Sequence, residues 1–161
     1  MSTTVKRILT FIIGVPAVLI FVFLNLYNHL PLNLLIIFFS ILGTIEFHDM
    51  VSSKIQMFPK WLIVIFTALI PIINYIFSLT SISQDASVFI FVIEVVILMA
   101  IEALSKKTFE SSFTKLASSF LIIFYCGFIF TYLQRFTVFE NSIYIISLFL
   151  FLVFMCDSAV W

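Results

Sequence analysis

The sequence predicts an all-α fold: a polytopic membrane helix bundle of about six transmembrane helices, with the N-terminus cytoplasmic. Three observations predict it. Hydrophobic residues make up 63% of the chain and charged residues only 10%, whereas a water-soluble domain carries roughly 25% charged residues. The apolar residues fall in continuous runs close to the about 20 residues that a helix needs to cross hydrocarbon, without the alternation of barrel strands. The basic residues fall almost entirely in alternate gaps between those runs, the pattern that fixes orientation in a membrane.

The first run, about Ile8–Tyr27, follows Lys6 and Arg7. It begins like a signal peptide but is longer than a signal core, and no small-x-small cleavage pattern follows, so it reads as a retained helix. "YNHLP" (27–31) separates it from the second and shortest run, Leu32–Phe47. "SSKIQMFPK" (52–60) precedes Trp61–Leu79, and "SLTSISQD" (78–85) precedes Ala86–Leu104. The most polar stretch, "SKKTFESSFTK" (105–115), leads into Leu116–Leu133, and "QRFTVFEN" (134–141) leads into Ser142–Trp161. In lipid each run must satisfy its own backbone, which selects helices. No linker is long enough to divide the chain, so residues 1–161 form a single transmembrane domain.

Of the eight basic residues, Lys6, Arg7, Lys54, Lys60, Lys106, Lys107 and Lys115 fall on one side of a six-span topology, and Arg135 on the other. Positive residues stay inside, so the N-terminus is cytoplasmic. The last helix then enters from outside near Ser142. Asp157 is 15 residues further on, about 22 Å at 1.5 Å per residue, in the cytoplasmic third of the bilayer. The formal net charge is zero, which gives no footprint for nucleic acid. Cys126 and Cys156 lack C-x-x-C spacing and read as small apolar residues facing lipid or core.

Ionisable groups inside a membrane each cost at least about 2.5–3.5 kcal/mol near its centre, so each needs a reason. Glu94, in "FVIEVVILMA", is either an acid facing a cavity or a protonated carboxylic acid hydrogen-bonded within the bundle. Glu102 lies nearer the basic loop, where it is expected to reach headgroups or Lys106 at i+4. Glu46 and Asp49, in "GTIEFHDM", share a face while His48 points elsewhere. Paired carboxylates can hold a hard cation, but acids are also inexpensive at a water interface. His29 reads as an ordinary turn residue. The loop 105–115 is either an attractor of anionic headgroups or nucleotide or a topology signal. No Walker-type glycine loop, nucleophile elbow or His-x-x-His pair occurs, and three glycines, Gly14, Gly43 and Gly127, are too few for a phosphate cradle.

Three stretches in order resemble the phosphatidate cytidylyltransferases (CDP-diacylglycerol synthases). They are "VKRILTFIIGVPAVLIF", "ILGTIEFHDM" and "CDSAVW". The last is similar to the family's Asp-[Ser/Thr]-x-Ala-[Tyr/Trp] element. Asp157 and Ser158 match it, Trp161 takes the aromatic slot, and Val160 departs from the usual Ala. The resemblance implies an enzyme of phospholipid biosynthesis that makes CDP-diacylglycerol and pyrophosphate from CTP and phosphatidic acid. It also implies dependence on a divalent cation such as Mg²⁺, a place as a multi-pass protein of the inner (plasma) membrane, and often a homodimer. Asp157 and Ser158 become the candidate catalytic residues, Asp157 positioning a metal or a basic group.

The resemblance covers the N-terminal portion of the family pattern. The Ser-Pro-x-Lys-Thr, Gly-His-Gly-Gly and Asp-Arg-x-Asp segments that follow in the family do not occur here. Nucleotidyl transfer needs cation clamps and donors aimed at developing charge, so residues 1–161 alone are expected to be inactive unless a C-terminal chain complements them. The alternative reading is a small six-helix transport or substrate-binding membrane component, with Glu94 on the solute path.

Overall fold

The computed structural model describes residues 14, 16, 18–24, 26–80, 82–105 and 112–159, with side chains described up to Cys156 in the last helix. After a helical stretch at 18–23 come α1 (Leu30–Ser52), α2 (Lys60–Thr80), α3 (Ala86–Ser105) and α4 (Ser112–Ile122). A π-helical segment (Ile123–Phe128) joins α4 to α5 (Ile129–Arg135), and a 3₁₀ turn (Phe136–Val138) extends it. The final helix is α6 (Ser142–Ala159). Among the described residues there is no strand. Four continuous helices are long and apolar enough to cross a membrane: α1, α2, α3 and the 27-residue helix Ser112–Val138. The chain is therefore an all-α membrane protein. Most of the predicted first span and the tip of the last lie outside the described residues.

Two predicted boundaries are corrected. The second span was expected over Leu32–Phe47, yet α1 has 23 residues and runs on through the charged "EFHDM". The fifth was expected over Leu116–Leu133, yet the helix begins at Ser112 and continues through Gln134 and Arg135. Both extensions have one cause. A hydropathy run stops at polar residues, but these residues hydrogen-bond inside the bundle and leave the backbone helical. Pro31 is tolerated in the first turn of α1, where an amide has no intrahelical acceptor.

The bundle is polar along its seams and apolar outside. Asn33, Ser40, Thr44 and His48 on α1 are buried, as are Thr67 and Asn74 on α2. Ser119, Thr131 and Gln134 are fully buried on the helix Ser112–Val138. Large side chains such as Phe38, Phe89, Ile93, Val96 and Tyr125 face outward. Lipid gives no hydrophobic drive for helices to associate, so close packing and interhelical hydrogen bonds hold them together. Ser40 donates to the Cys126 carbonyl at 2.6 Å, where the π turn loosens the backbone ladder. Asn74 donates to Gln134 at 3.1 Å, and Gln134 donates to the Pro71 carbonyl at 3.1 Å. Apolar contacts fill the space between, one cluster around Ile63, Ile70, Leu98 and Ile123 and another around Val22, Leu32, Ile36 and Ile146.

Pro71 and Gly127 meet at the centre. Pro71 has no N–H, so the Thr67 carbonyl loses its helical donor. Gly127, on the neighbouring helix, sits against that carbonyl: a Cβ there would lie 3.0 Å from the Thr67 oxygen and 3.2 Å from Ile70 Cδ1.

Candidate functional site at the basic end of the bundle

Hydrogen bonds sort the helix ends into two groups. At one end Arg135 pairs with Asp85 at 3.0 Å and donates to the Gln84 carbonyl at 3.1 Å. Here His29 Nε2 and Ser142 Oγ share a bond of 2.8 Å, and Tyr75 donates its hydroxyl to the Tyr27 carbonyl at 2.8 Å. His29 lies in a turn, as expected, but does more than an ordinary turn residue. It is 1% exposed and ties α6 to the start of α1. Burial disfavours its charged form and lowers its pKa below the usual histidine value.

The opposite end collects Lys54, Lys60 and Lys115, the described members of the predicted inside set. Its hub is Phe58, 2% exposed. The last turns of α1 present His48, whose Nε2 donates to the Phe58 carbonyl at 3.0 Å. Lys115, one turn into α4, stands over the Phe58 ring at 3.9 Å from its centroid, a cation–π distance. Lys115 also forms an ion pair with Glu102, and Ser112 donates to the other Glu102 oxygen at 2.9 Å. Asp49 pairs with Lys60 at the start of α2. The linker is thus clamped from α1, α2 and α4 at once.

Glu102 turns inward, 1% exposed, to Ser112 and Lys115 across the loop instead of outward to headgroups, because a fully buried carboxylate requires a cation and donors around it; its other expected partner, Lys106, is outside the described residues. Glu46 and Asp49 do not act as a pair, since Asp49 is held by Lys60 while Glu46 is exposed. Glu94 is 4% exposed, as a buried acid should be, but neither carboxyl oxygen has a hydrogen-bond partner among the described residues. The hub around Phe58 was not anticipated. Its signal was the four-residue spacing of Ser40, Thr44 and His48, which marks one inward face.

Helix α6 carries the two candidate catalytic positions. It starts from the His29–Ser142 contact, as α1 does, so the backbone of Asp157 stands about as far along α6 as Thr44 stands along α1. Asp157 and Ser158 lie in its last helical turns, and their side chains are outside the described residues, as are Val160 and Trp161 altogether. One turn earlier, an apolar groove of about 440 Å³ runs along α6 between Phe23 and Ser147, Phe151, Phe154 and Met155. Among the described residues no group of three or more His, Cys, Asp or Glu side chains could hold a metal ion.

A search of curated proteins and a search of solved structures each returned no match. The family model described as "Cytidylyltransferase family" matches residues 5–161, nearly the whole sequence. An all-α membrane bundle, a lysine-bearing end and a family match that takes in Asp157 lead to one assignment: this chain belongs to the cytidylyltransferase family, whose transferases use CTP.

Proposed function

We propose that the chain is a phosphatidate cytidylyltransferase-like protein of the cell inner membrane, with its basic end cytoplasmic. In this reading a phosphate oxygen of phosphatidic acid attacks the α-phosphorus of CTP. The bond to the β-phosphate breaks, pyrophosphate leaves, and CDP-diacylglycerol forms. The family match over residues 5–161 is the observation that carries the reading. Two others support it. "CDSAVW" places an acid and a hydroxyl at the end of α6, and the groove one turn away is apolar enough for a lipid tail. Asp157 is assigned a positioning role toward a basic group or a substrate-borne cation, and Ser158 a donor role beside it. A divalent cation such as Mg²⁺ would neutralise charge on the triphosphate, with Asp157 and groups outside the described residues as its ligands.

Lys60 and Lys115 are already engaged by Asp49 and Glu102, which leaves Lys54 as the described lysine available to a ligand at this end. A triphosphate needs further cationic groups, from undescribed parts of this chain, a second copy, or a complementing chain. The test is expression of the chain in membranes depleted of their own CDP-diacylglycerol synthesis, with and without a complementing C-terminal polypeptide. Labelled CTP and phosphatidic acid are supplied, and ATP serves as the nucleotide control. CTP-dependent CDP-diacylglycerol in either arm supports the reading. Its absence in both, with specific solute binding in the absence of nucleotide, would favour a transport component instead.

A further inference from the structure

The buried face of α3 is Ser87, Phe91, Glu94, Leu98 and Glu102. Its contacts fix the register against the antiparallel α4. Glu102 meets Ser112 and Lys115, and Phe91 meets Phe120, Phe124 and Phe128 at ring-centroid distances of 5.5 Å, 5.8 Å and 4.9 Å. Glu94 is one turn from Phe91 and two turns, about 12 Å, from Glu102. It therefore stands near the level of Phe120 and Leu121, within about one turn of Ser119. On α4, Ser112, Lys115 and Ser119 follow at i, i+3 and i+7, one continuous side of the helix. Ser119 is 0% exposed, and its hydroxyl, like both Glu94 oxygens, has no hydrogen-bond partner among the described residues.

An uncompensated buried polar group costs about 1–3 kcal/mol, more for a carboxyl. Two on one seam, above a polar pair that reaches the basic end, share an economical explanation. A buried water is stable where two to four otherwise unsatisfied polar atoms surround it. Glu94 Oε1, Glu94 Oε2 and Ser119 Oγ supply three. Intramembrane acids characteristically face such cavities. All three atoms are oxygens, which suits water as a bridging ligand. An alkali or alkaline-earth ion wants six or more oxygens.

We propose that Glu94 and Ser119 form an internal hydration site on the α3–α4 seam, reached by water from the basic end along Ser112, Glu102 and Lys115. The site does not depend on which lipid the protein acts upon. It makes this seam a wetted inlet in an otherwise apolar bundle, and Glu94 an acid in contact with the aqueous phase on the basic side only.

The test uses the full chain in sealed vesicles, in a Cys126→Ser, Cys156→Ser background. Ser119→Cys and the control Ile122→Cys, also 0% exposed, are treated with a small charged methanethiosulfonate. This reagent consumes thiolate and so reports water at the sulfur. Ser119→Cys is expected to react at least about tenfold faster than Ile122→Cys, because an apolar site suppresses the thiolate. Glu94→Leu added to Ser119→Cys should abolish the difference. Equal, slow labelling at both positions overturns the proposal. Glu94→Leu alone supplies an independent reading if the cysteine variants misfold. A dry seam would gain thermal stability from that change, which also overturns the proposal, whereas a hydrated one loses it.

Discussion

Gly127→Ala tests the tightest glycine contact in the bundle, against the Thr67 carbonyl. The added methyl carbon would lie 3.0 Å from the Thr67 oxygen, 3.2 Å from Thr67 Cγ2 and 3.2 Å from Ile70 Cδ1. An ordinary contact needs a few tenths of an ångström more. The tightest neighbour is a backbone atom beside Pro71, so no side chain can swing away to make room. Overpacking of this kind costs about 1–3 kcal/mol. At about 2–4 °C per kcal/mol for a chain of this size, the midpoint of thermal unfolding in micelles should fall by about 2–12 °C. Gly43→Ala is the control. Its Cβ would meet only Cys126 Sγ at 3.7 Å, so that variant should hold its midpoint or gain up to about 1 kcal/mol from helix propensity. Thr67→Ser combined with Gly127→Ala removes Cγ2 but keeps the carbonyl, and should recover only part of the loss. If Gly127→Ala matches the parent, the spacing between α2 and the π-helical segment is not set by that glycine, and the argument from Pro71 falls with it.

Lys115→Met removes the ammonium from a buried carboxylate and should cost about 3–5 kcal/mol in denaturant titration. Adding Glu102→Gln should restore most of it, and no recovery in the double variant would refute the pairing. His29 has a folded pKa depressed by burial, so below about pH 6.5 the unfolded chain binds more protons than the folded one. Stability should be flat above that pH and decline as pH falls toward the folded pKa; His29→Gln should lose this slope, and an unchanged slope would place its origin elsewhere. Asp157→Asn, measured in whichever arm of the assay makes CDP-diacylglycerol, should lower turnover about 10–100-fold, the usual effect of losing a positioning group. Near-normal turnover would remove Asp157 from the site.

The sequence carried the helices better than their limits. Continuous apolar runs leave few structures other than spanning helices, and the described lysines, Lys54, Lys60 and Lys115, group at one end. Polar residues defeated the boundary estimates, because "EFHDM" and "QRFT" read as exits from the membrane. In the fold His48 and Gln134 are interior donors, and the helices run through them. The partners Ser112 and Lys115 of Glu102 were not legible for a related reason: they lie across a loop, 10 and 13 residues on, and only the antiparallel register of α3 and α4 makes them neighbours. Glu94 was legible as buried, since a lone acid in "FVIEVVILMA" has nowhere polar to go within its own helix. The Asp157 element was legible as a motif, whereas its chemistry depends on groups beyond its own helix, which a local pattern does not identify.

Tyr27, Asn28 and His29 hold φ values of 46°, 58° and 57°, three successive residues in the left-handed region without a glycine. Such a run costs roughly 1–2 kcal/mol per residue and needs outside support. The support comes from Tyr75 on the Tyr27 carbonyl, from Ser78 accepting the Asn28 amide at 3.3 Å, and from Ser142 on His29. Those partners lie 48, 50 and 113 residues later in the chain. Two of the partners sit on α2 and the third opens α6. A turn that its own residues disfavour is thus written by residues distant in sequence, and its backbone reports on the packing of two other helices: loss of any one of these contacts should let Tyr27–His29 relax out of the left-handed region.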